Sequence, residues 1–255
     1  MRVSSASATD KGLRRSTNED CVSVREDLSL FVVADGMGGH AAGEVASQAA
    51  VEGIVAFVAA TRAISPDQTW PMPFDPTQSA NVNRLRAGFQ MGNRRLADRI
   101  AESSELKGMA TTALAVLIDG DTATVAHVGD SRLYRLRDGR LDRLTRDHSW
   151  VEEQIRAGAL SEVAARQHPW RNIVTRALSG SDDLDVEVRE VTVELGDRLL
   201  LCSDGVFAVL TDDEIRTELG REVALDDLCH TLIRAVNNGG GPDNVTAVVL
   251  KVDAV

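Results

Sequence analysis

Three cysteines in 255 residues, Cys21, Cys202 and Cys229, are too few, too far apart and odd in number for a disulfide framework. None stands in a C-x-x-C pair, so a cysteine-rich zinc site is excluded by spacing. Positive charge is also scarce: 28 Lys and Arg face 39 Asp and Glu, a formal net charge of -11. That balance disfavours binding to a nucleic acid backbone or an anionic membrane face, which needs clustered Lys and Arg. No long apolar run is present either. The longest, Val45 to Ala60, is broken by Gln48 and Glu52 and falls short of the ~20 residues that span a bilayer. The opening MRVSSASATDKG lacks the apolar segment of a secretory signal. The expectation is a soluble, cytoplasmic protein with no nucleic acid partner and no membrane span.

Proline is nearly confined to one place. Four of the six lie at Pro66, Pro71, Pro73 and Pro76, marking residues 64–78 as a surface loop, since proline there blocks helices and ladders alike. With no repeat and no second shift in composition, the chain reads as a single domain over 1–255. Helices flank the loop. Val51, Ile54, Val55 and Val58 recur at i, i+3, i+4 and i+7, and Leu85, Phe89, Leu96 and Ile100 stripe a second segment. Thr211-Asp-Asp-Glu214 is a capping box, and Leu225, Leu228 and Leu232 line another helix. Short apolar or β-branched runs predict strands at 29–34, 113–119, 122–129 and 198–203, with an alternating one at 186–193. Asp138-Gly139 marks a hairpin turn. Strands in adjacent groups with helix pairs between them predict antiparallel sheets covered by helices, an α+β arrangement rather than a parallel βαβ sheet.

Within this pattern one device recurs. Four hydrophobic strands run into or out of an aspartate beside a small or polar residue: Asp35-Gly36, Asp130-Ser131, Asp204-Gly205 and Asp243-Asn244. A single Asp-Gly is ordinarily a turn. Four at the ends of core strands are costly unless their charge is countered, and apart from Arg132 no Lys or Arg stands nearby in sequence. Divalent cations meet that need. Oxygen donors with no Cys and no His pair suit Mg²⁺ or Mn²⁺, and one carboxylate shared by two ions would make a two-metal site. Beside such a site, Arg15 could fork onto phosphate oxygens, and Glu19 and Asp20 could hold metal-bound waters.

These residues carry a resemblance. R-x-x-N-E-D at Arg15–Asp20, D-G-M-G-G-H at Asp35–His40, T-T-A at Thr111–Ala113, G-D-S-R at Gly129–Arg132, S-D-G at Ser203–Gly205 and D-N at Asp243–Asn244 are similar, in order, to the motif set of PP2C-type (PPM) protein serine/threonine phosphatases. The D-G-M-G-G-H form resembles the bacterial branch, and the match runs from about residue 4 to 250. The resemblance implies a four-layer α/β/β/α sandwich of two antiparallel sheets with helix pairs outside and a Mn²⁺ or Mg²⁺ cluster at one edge. By position, Asp35 would bridge both metals, with the Gly36 carbonyl on the second. Asp204 and Asp243 would complete the first, and Asp130 with Asp204 would form a third, weaker site. Arg15 matches the phosphate-binding arginine, Glu19 and Asp20 the accessory acids, and Thr112 and Asn244 groups that orient them. The implied reaction is hydrolysis of phosphoserine and phosphothreonine in proteins by a metal-bridging hydroxide. Phosphorylated proteins, including a Ser/Thr kinase and its targets, would be the partners. Met37 stands where eukaryotic members have a histidine, leaving the general acid open between His40 and a water on the third metal. Residues 147–180, with His168-Pro169-Trp170, resemble the flap that borders the site, and His168 is the candidate substrate contact there. Two other readings stay open at this point, a phosphoprotein-binding pseudophosphatase and a different two-metal phosphoester hydrolase.

Overall fold

The computed structural model describes residues 1–38, 42–64 and 69–254. Among these, two antiparallel sheets lie face to face. The first is built from β1 (Arg2–Asp10), β11 (Val245–Asp253), β10 (Arg198–Cys202), β7 (Arg132–Arg137) and β8 (Arg140–Arg143), in that order. The second runs β2 (Asp20–Arg25), β3 (Leu30–Met37), β5 (Ala113–Asp119), β6 (Thr122–Val128) and β9 (Glu187–Thr192), with the short β4 (Ala110–Thr111) beside the end of β3. Helices α1 (Ala42–Thr61) and α2 (Ala80–Glu102) cover the second sheet, while α6 (Asp212–Leu219) and α7 (Leu225–Asn238) cover the first. Two short helices, α3 (Trp150–Arg156) and α4 (Glu162–Arg166), stand apart, and α5 (Asp204–Phe207) follows β10 directly.

The layers follow from the period of two along each strand. Leu30, Val32 and Ala34 of β3 turn toward Ile54 of α1 and Phe89 of α2. Phe31 and Val33, between them, turn inward and meet Leu199, Leu201 and Val248 of the other sheet. Strand β10 does the same in mirror image: Leu199 and Leu201 face the centre, and Leu200 and Cys202 face Leu228 and Leu232 of α7. Central strands apolar on both faces read as unbroken hydrophobic runs for this reason. Burial of that kind contributes about 1.5–3 kcal/mol per large side chain.

The structure adds to and extends this pattern. The N-terminal strand β1 carries only a weak alternation, Ala6 and Ala8 alternating with Ser5 and Ser7, and pairs with β11 over its whole length, Arg2 opposite Asp253 and Asp10 opposite Val245. Strand β3 does not stop at Ala34 but carries Asp35, Gly36 and Met37 onward, because β4 pairs with it there. The apolar stretch at 45–60 belongs to a helix of 20 residues, long and apolar enough to cross a membrane by length and composition alone. Its Ala46, Ala50, Ile54 and Val58 are instead buried against α2 and β3. The proline-rich segment is irregular over 69–78, its first part lying outside the described residues, and Ser79 caps α2 after it. The Asp138-Gly139 turn and the Thr211–Glu214 capping box form as read.

Candidate active site

Antiparallel pairing places Asp20, the first residue of β2, directly opposite Asp35 of β3. Directly opposed residues present their side chains on one face of a sheet, so two carboxylates are set side by side by register alone. Asp130 follows β6, Asp204 follows β10 and Asp243 precedes β11, all at the same end of the sandwich. Each of Asp20, Asp204, Asp130 and Asp243 adds to the field at Asp35, and Asp204 is close enough to Asp35 to share a hydrogen bond.

Burial, reinforced by these like charges, pushes the carboxyls up from the ordinary aspartate range: Asp204 to about 6, Asp20 to about 7 and Asp130 to about 8. Asp35 is raised well above its usual value by the same causes. Asp130 is 7% exposed, whereas Asp20, Asp35, Asp204 and Asp243 are half-buried. Within this cluster one oxygen of Asp20 and one of Asp204, both Oδ1, are buried without a hydrogen-bond partner. Unpaired buried carboxylate oxygens are uncommon and costly. An all-oxygen donor set of converging aspartates with such atoms fits a hard divalent cation, so the residues suit the Mn²⁺ or Mg²⁺ that the sequence leads one to expect.

The surrounding hydrogen bonds hold this set in place. Ser203 Oγ and Thr246 Oγ1 both donate to Asp20 Oδ2, at 2.7 and 2.6 Å, tying β2 of one sheet to β10 and β11 of the other. The Asp35 backbone N–H donates to Thr112 Oγ1 at 3.0 Å, and that hydroxyl also bonds Ser131 Oγ at 2.8 Å. Asn244 accepts from the Glu19 N–H at 2.8 Å and donates to the Lys11 and Thr17 carbonyls. It thereby pins the 11–19 loop that carries Arg15. Arg15 Nη2 donates to Asp243 Oδ2 at 2.7 Å, and the arginine side chain is half exposed. Gly36 is required by close approach: a Cβ there would stand 2.0 Å from the Gly43 carbonyl oxygen of α1. His40 lies outside the described residues.

A cavity of about 430 Å³ opens from Asp130 and Asp204, walled by Asp147, Arg166, Arg171 and Phe207 among others. Arg132, the one basic residue beside the acids in sequence, makes its direct ion pair with Asp147, and its charge offsets only part of the burial and repulsion that raise Asp130. It forks onto Asp147 with contacts of 2.6 and 3.0 Å and lies 3.6 Å over the Phe207 ring. Asp147 is thus a residue whose role the sequence does not disclose, since its partner Arg132 lies 15 positions away. His168 is stacked on Trp150 at 4.7 Å and meets the edge of Trp170 at 5.9 Å. The cavity wall in that segment is formed by its neighbours Arg166, Arg171 and Asn172. A histidine pair also exists, contrary to expectation: His127 and His148 stack at 4.7 Å with Glu187 beside them, separate from the aspartates and invisible in sequence because 21 positions part the two rings.

Residues 13–242 match the family model described as protein phosphatase 2C. The chain is 39% identical over 249 residues to the serine/threonine protein phosphatase PstP of Mycobacterium tuberculosis, covering 97% of this chain but 44% of that protein. It is 34% identical over 253 residues to protein phosphatase PhpP of Streptococcus pneumoniae, covering 96% of each. Among solved structures, the catalytic domain of PstP in complex with two manganese ions superposes with a TM-score of 0.84 at 34% identity over 99% of both chains. The two-sheet sandwich with outer helices is the fold these proteins share. By matched length, fold and ordered motifs, the chain belongs to the protein phosphatase 2C family.

Proposed function

We propose that this chain hydrolyses phosphoserine and phosphothreonine monoesters in proteins at a dinuclear Mn²⁺ or Mg²⁺ centre. The observation that carries the reading is the convergence of Asp20, Asp35, Asp130, Asp204 and Asp243, two of them with orphaned buried oxygens, beneath a half-exposed arginine. The relatives named above are serine/threonine phosphatases, and one holds two manganese ions. Asp35 and the Gly36 carbonyl, with Asp204 and Asp243, would hold the two principal cations, and Asp130 with Asp204 a weaker third. When bound, such cations supply Lewis-acid charge and a nucleophile available at neutral pH.

The chain's own residues then have separable tasks. Arg15 uses one N–H on Asp243, leaving other donors of its planar fork for phosphate oxygens. Thr112 and Asn244 hold the Asp35 backbone and the Arg15 loop so that both ends of the phosphoryl group meet fixed partners. The 430 Å³ cavity, bordered by Arg166 and Arg171, accommodates side chains flanking the phosphorylated residue. His168 would act through its lining neighbours Arg166 and Arg171 and not as a lining residue itself. The partners are phosphorylated proteins, including a Ser/Thr kinase and its targets. The three free cysteines accord with a cytoplasmic setting.

The test is turnover of an aryl phosphate and a phosphothreonine peptide, with Mn²⁺ and with chelator, for the wild type, Asp35→Asn and Asp204→Asn. Activity should require Mn²⁺ and fall at least 100-fold in either variant. Turnover that survives chelation, or both substitutions, would falsify the two-metal reading. Tight phosphopeptide binding without turnover in Mn²⁺ would point to a binding protein instead.

A further inference from the structure

Asp130 is gripped on both sides from a single dipeptide, Asp147-His148. Gly129, immediately before it, adopts φ +103°, and a Cβ there would stand 2.6 Å from the Thr112 side chain, so this bend is open to glycine alone. The Gly129 N–H donates to His148 Nδ1 at 3.1 Å, and the Gly129 carbonyl accepts from the His148 backbone N–H at 2.9 Å. Two residues beyond Asp130, Arg132 is held by the Asp147 carboxylate at 2.6 Å. The residues on either side of Asp130 are therefore fixed by consecutive residues of a different segment.

The His148 ring is itself held. It is 6% exposed and lies parallel to His127, within 10° and at 4.7 Å between ring centres. His127 is anchored in turn by Nε2 to the Arg146 carbonyl at 2.8 Å. Because the Gly129 N–H occupies the Nδ1 lone pair, the hydrogen of the neutral His148 ring is on Nε2, which lies 3.5 Å from Glu187 Oε2 without a hydrogen bond to it. A nitrogen that carries hydrogen has no lone pair for a cation. In this tautomer His148 offers a cation no lone pair, and its ring, stacked on His127, orients Gly129.

We propose that His148 is a positioning residue for Asp130: by holding Gly129 through its ring and its backbone, it sets the Asp130 carboxylate where it can share a cation with Asp204, while touching neither cation nor substrate. This rests on the metal-centre reading given under Proposed function. Partners one step removed from a metal ligand commonly change affinity by about 10- to 100-fold when lost.

The experiment counts bound Mn²⁺ on the metal-stripped full chain by electron paramagnetic resonance of the free ion, with thermal unfolding of each metal-free variant alongside. Asp130→Asn should abolish or weaken the weakest Mn²⁺ step. His148→Phe keeps a ring against His127 but offers Gly129 no acceptor, and it should weaken that same step about 10-fold while leaving the tighter steps unchanged. His148→Asn places an oxygen near the former Nδ1 and should restore most of the affinity. If the phenylalanine variant does not fold, His148→Gln, whose amide reaches past that position, carries the same expectation. The proposal is overturned if the variant without the acceptor binds Mn²⁺ as the wild type does. It is equally overturned if all steps weaken together with a fall in Tm, or if His148→Asn behaves like His148→Phe. Should Asp130→Asn leave every step unchanged, or the wild type bind no Mn²⁺, the assignment of Asp130 or of the centre itself fails, an outcome distinct from a failure of His148 alone.

Discussion

Asp20 faces Asp35 across the β2–β3 pair, and the Asp20 oxygen Oδ2 reaches the other sheet, accepting from Thr246 Oγ1 at 2.6 Å. The two acids that strand register forces together thus lie on the seam between the two sheets. Their mutual repulsion acts on the joint that organises the fold, and proton and cation compete to relieve it.

That competition sets the pH dependence of stability. In the metal-free protein Asp204, Asp20 and Asp130 have folded values of about 6, 7 and 8, against roughly 3.9 for an unfolded aspartate. The folded chain binds more protons than the unfolded one across that interval, so stability falls as pH rises. The contribution of these groups is complete below about pH 4 and is lost through pH 6–8. Chelated protein should show a lower Tm at pH 8 than at pH 5.5, and Mn²⁺ should raise Tm more at pH 8. A Tm of the chelated protein that rises over this range would contradict the assignment.

Arg15 is half exposed and bound to one oxygen of Asp243. Removing a charged donor to phosphate costs about 1.5–3 kcal/mol. Arg15→Ala should therefore raise KM for an aryl phosphate by about 10- to 100-fold with an unchanged Mn²⁺ count. A collapse of metal occupancy would reassign the residue to holding Asp243.

The Arg132–Asp147 pair is buried, with side-chain exposures of 18% and 8%. Asp147→Ala leaves the buried guanidinium without its direct carboxylate partner and should cost about 3–5 kcal/mol in urea unfolding. Arg176→Ala, which removes a pair with side-chain exposures of 43% and 71%, should cost under about 1 kcal/mol. Equal effects of the two substitutions would argue against a structural role for the buried pair.

His168 packs against Trp150 and Trp170, in the segment whose Arg166, Arg171 and Asn172 wall the cavity. His168→Ala should slow turnover of a phosphoprotein several-fold more than that of a small aryl phosphate, since only the larger substrate leans on that wall. Comparable losses on both substrates would remove the segment from substrate recognition.

Much of this was legible along the chain. Strands β5 and β10 and the α6 cap follow local patterns, because an unbroken apolar run and a Thr–Glu box are properties of short segments. The aspartates stood out because a carboxylate at the end of a buried run needs explaining. Strand β1 did not stand out, since its partner β11 lies more than 230 residues away and supplies the reason for its extended form. Asp147 and His148 were equally silent: each acts only by reaching residues 15 to 19 positions back on another segment.

By itself the amino-acid sequence determined which side chains would be buried in the apolar strands such as β5 and β10, which acids would be available and which motifs they occupy, since hydrophobic patterning and residue chemistry need no partner to be read. The tertiary structure alone decided that Asp20 sits on the seam between the sheets, that Arg132 makes its direct ion pair with Asp147, and that two distant imidazoles stack behind Gly129. Those are matters of register and long-range contact. An electrostatic or hydrogen-bonding partner is chosen by distance in space, which the chain acquires only when its sheets close on one another.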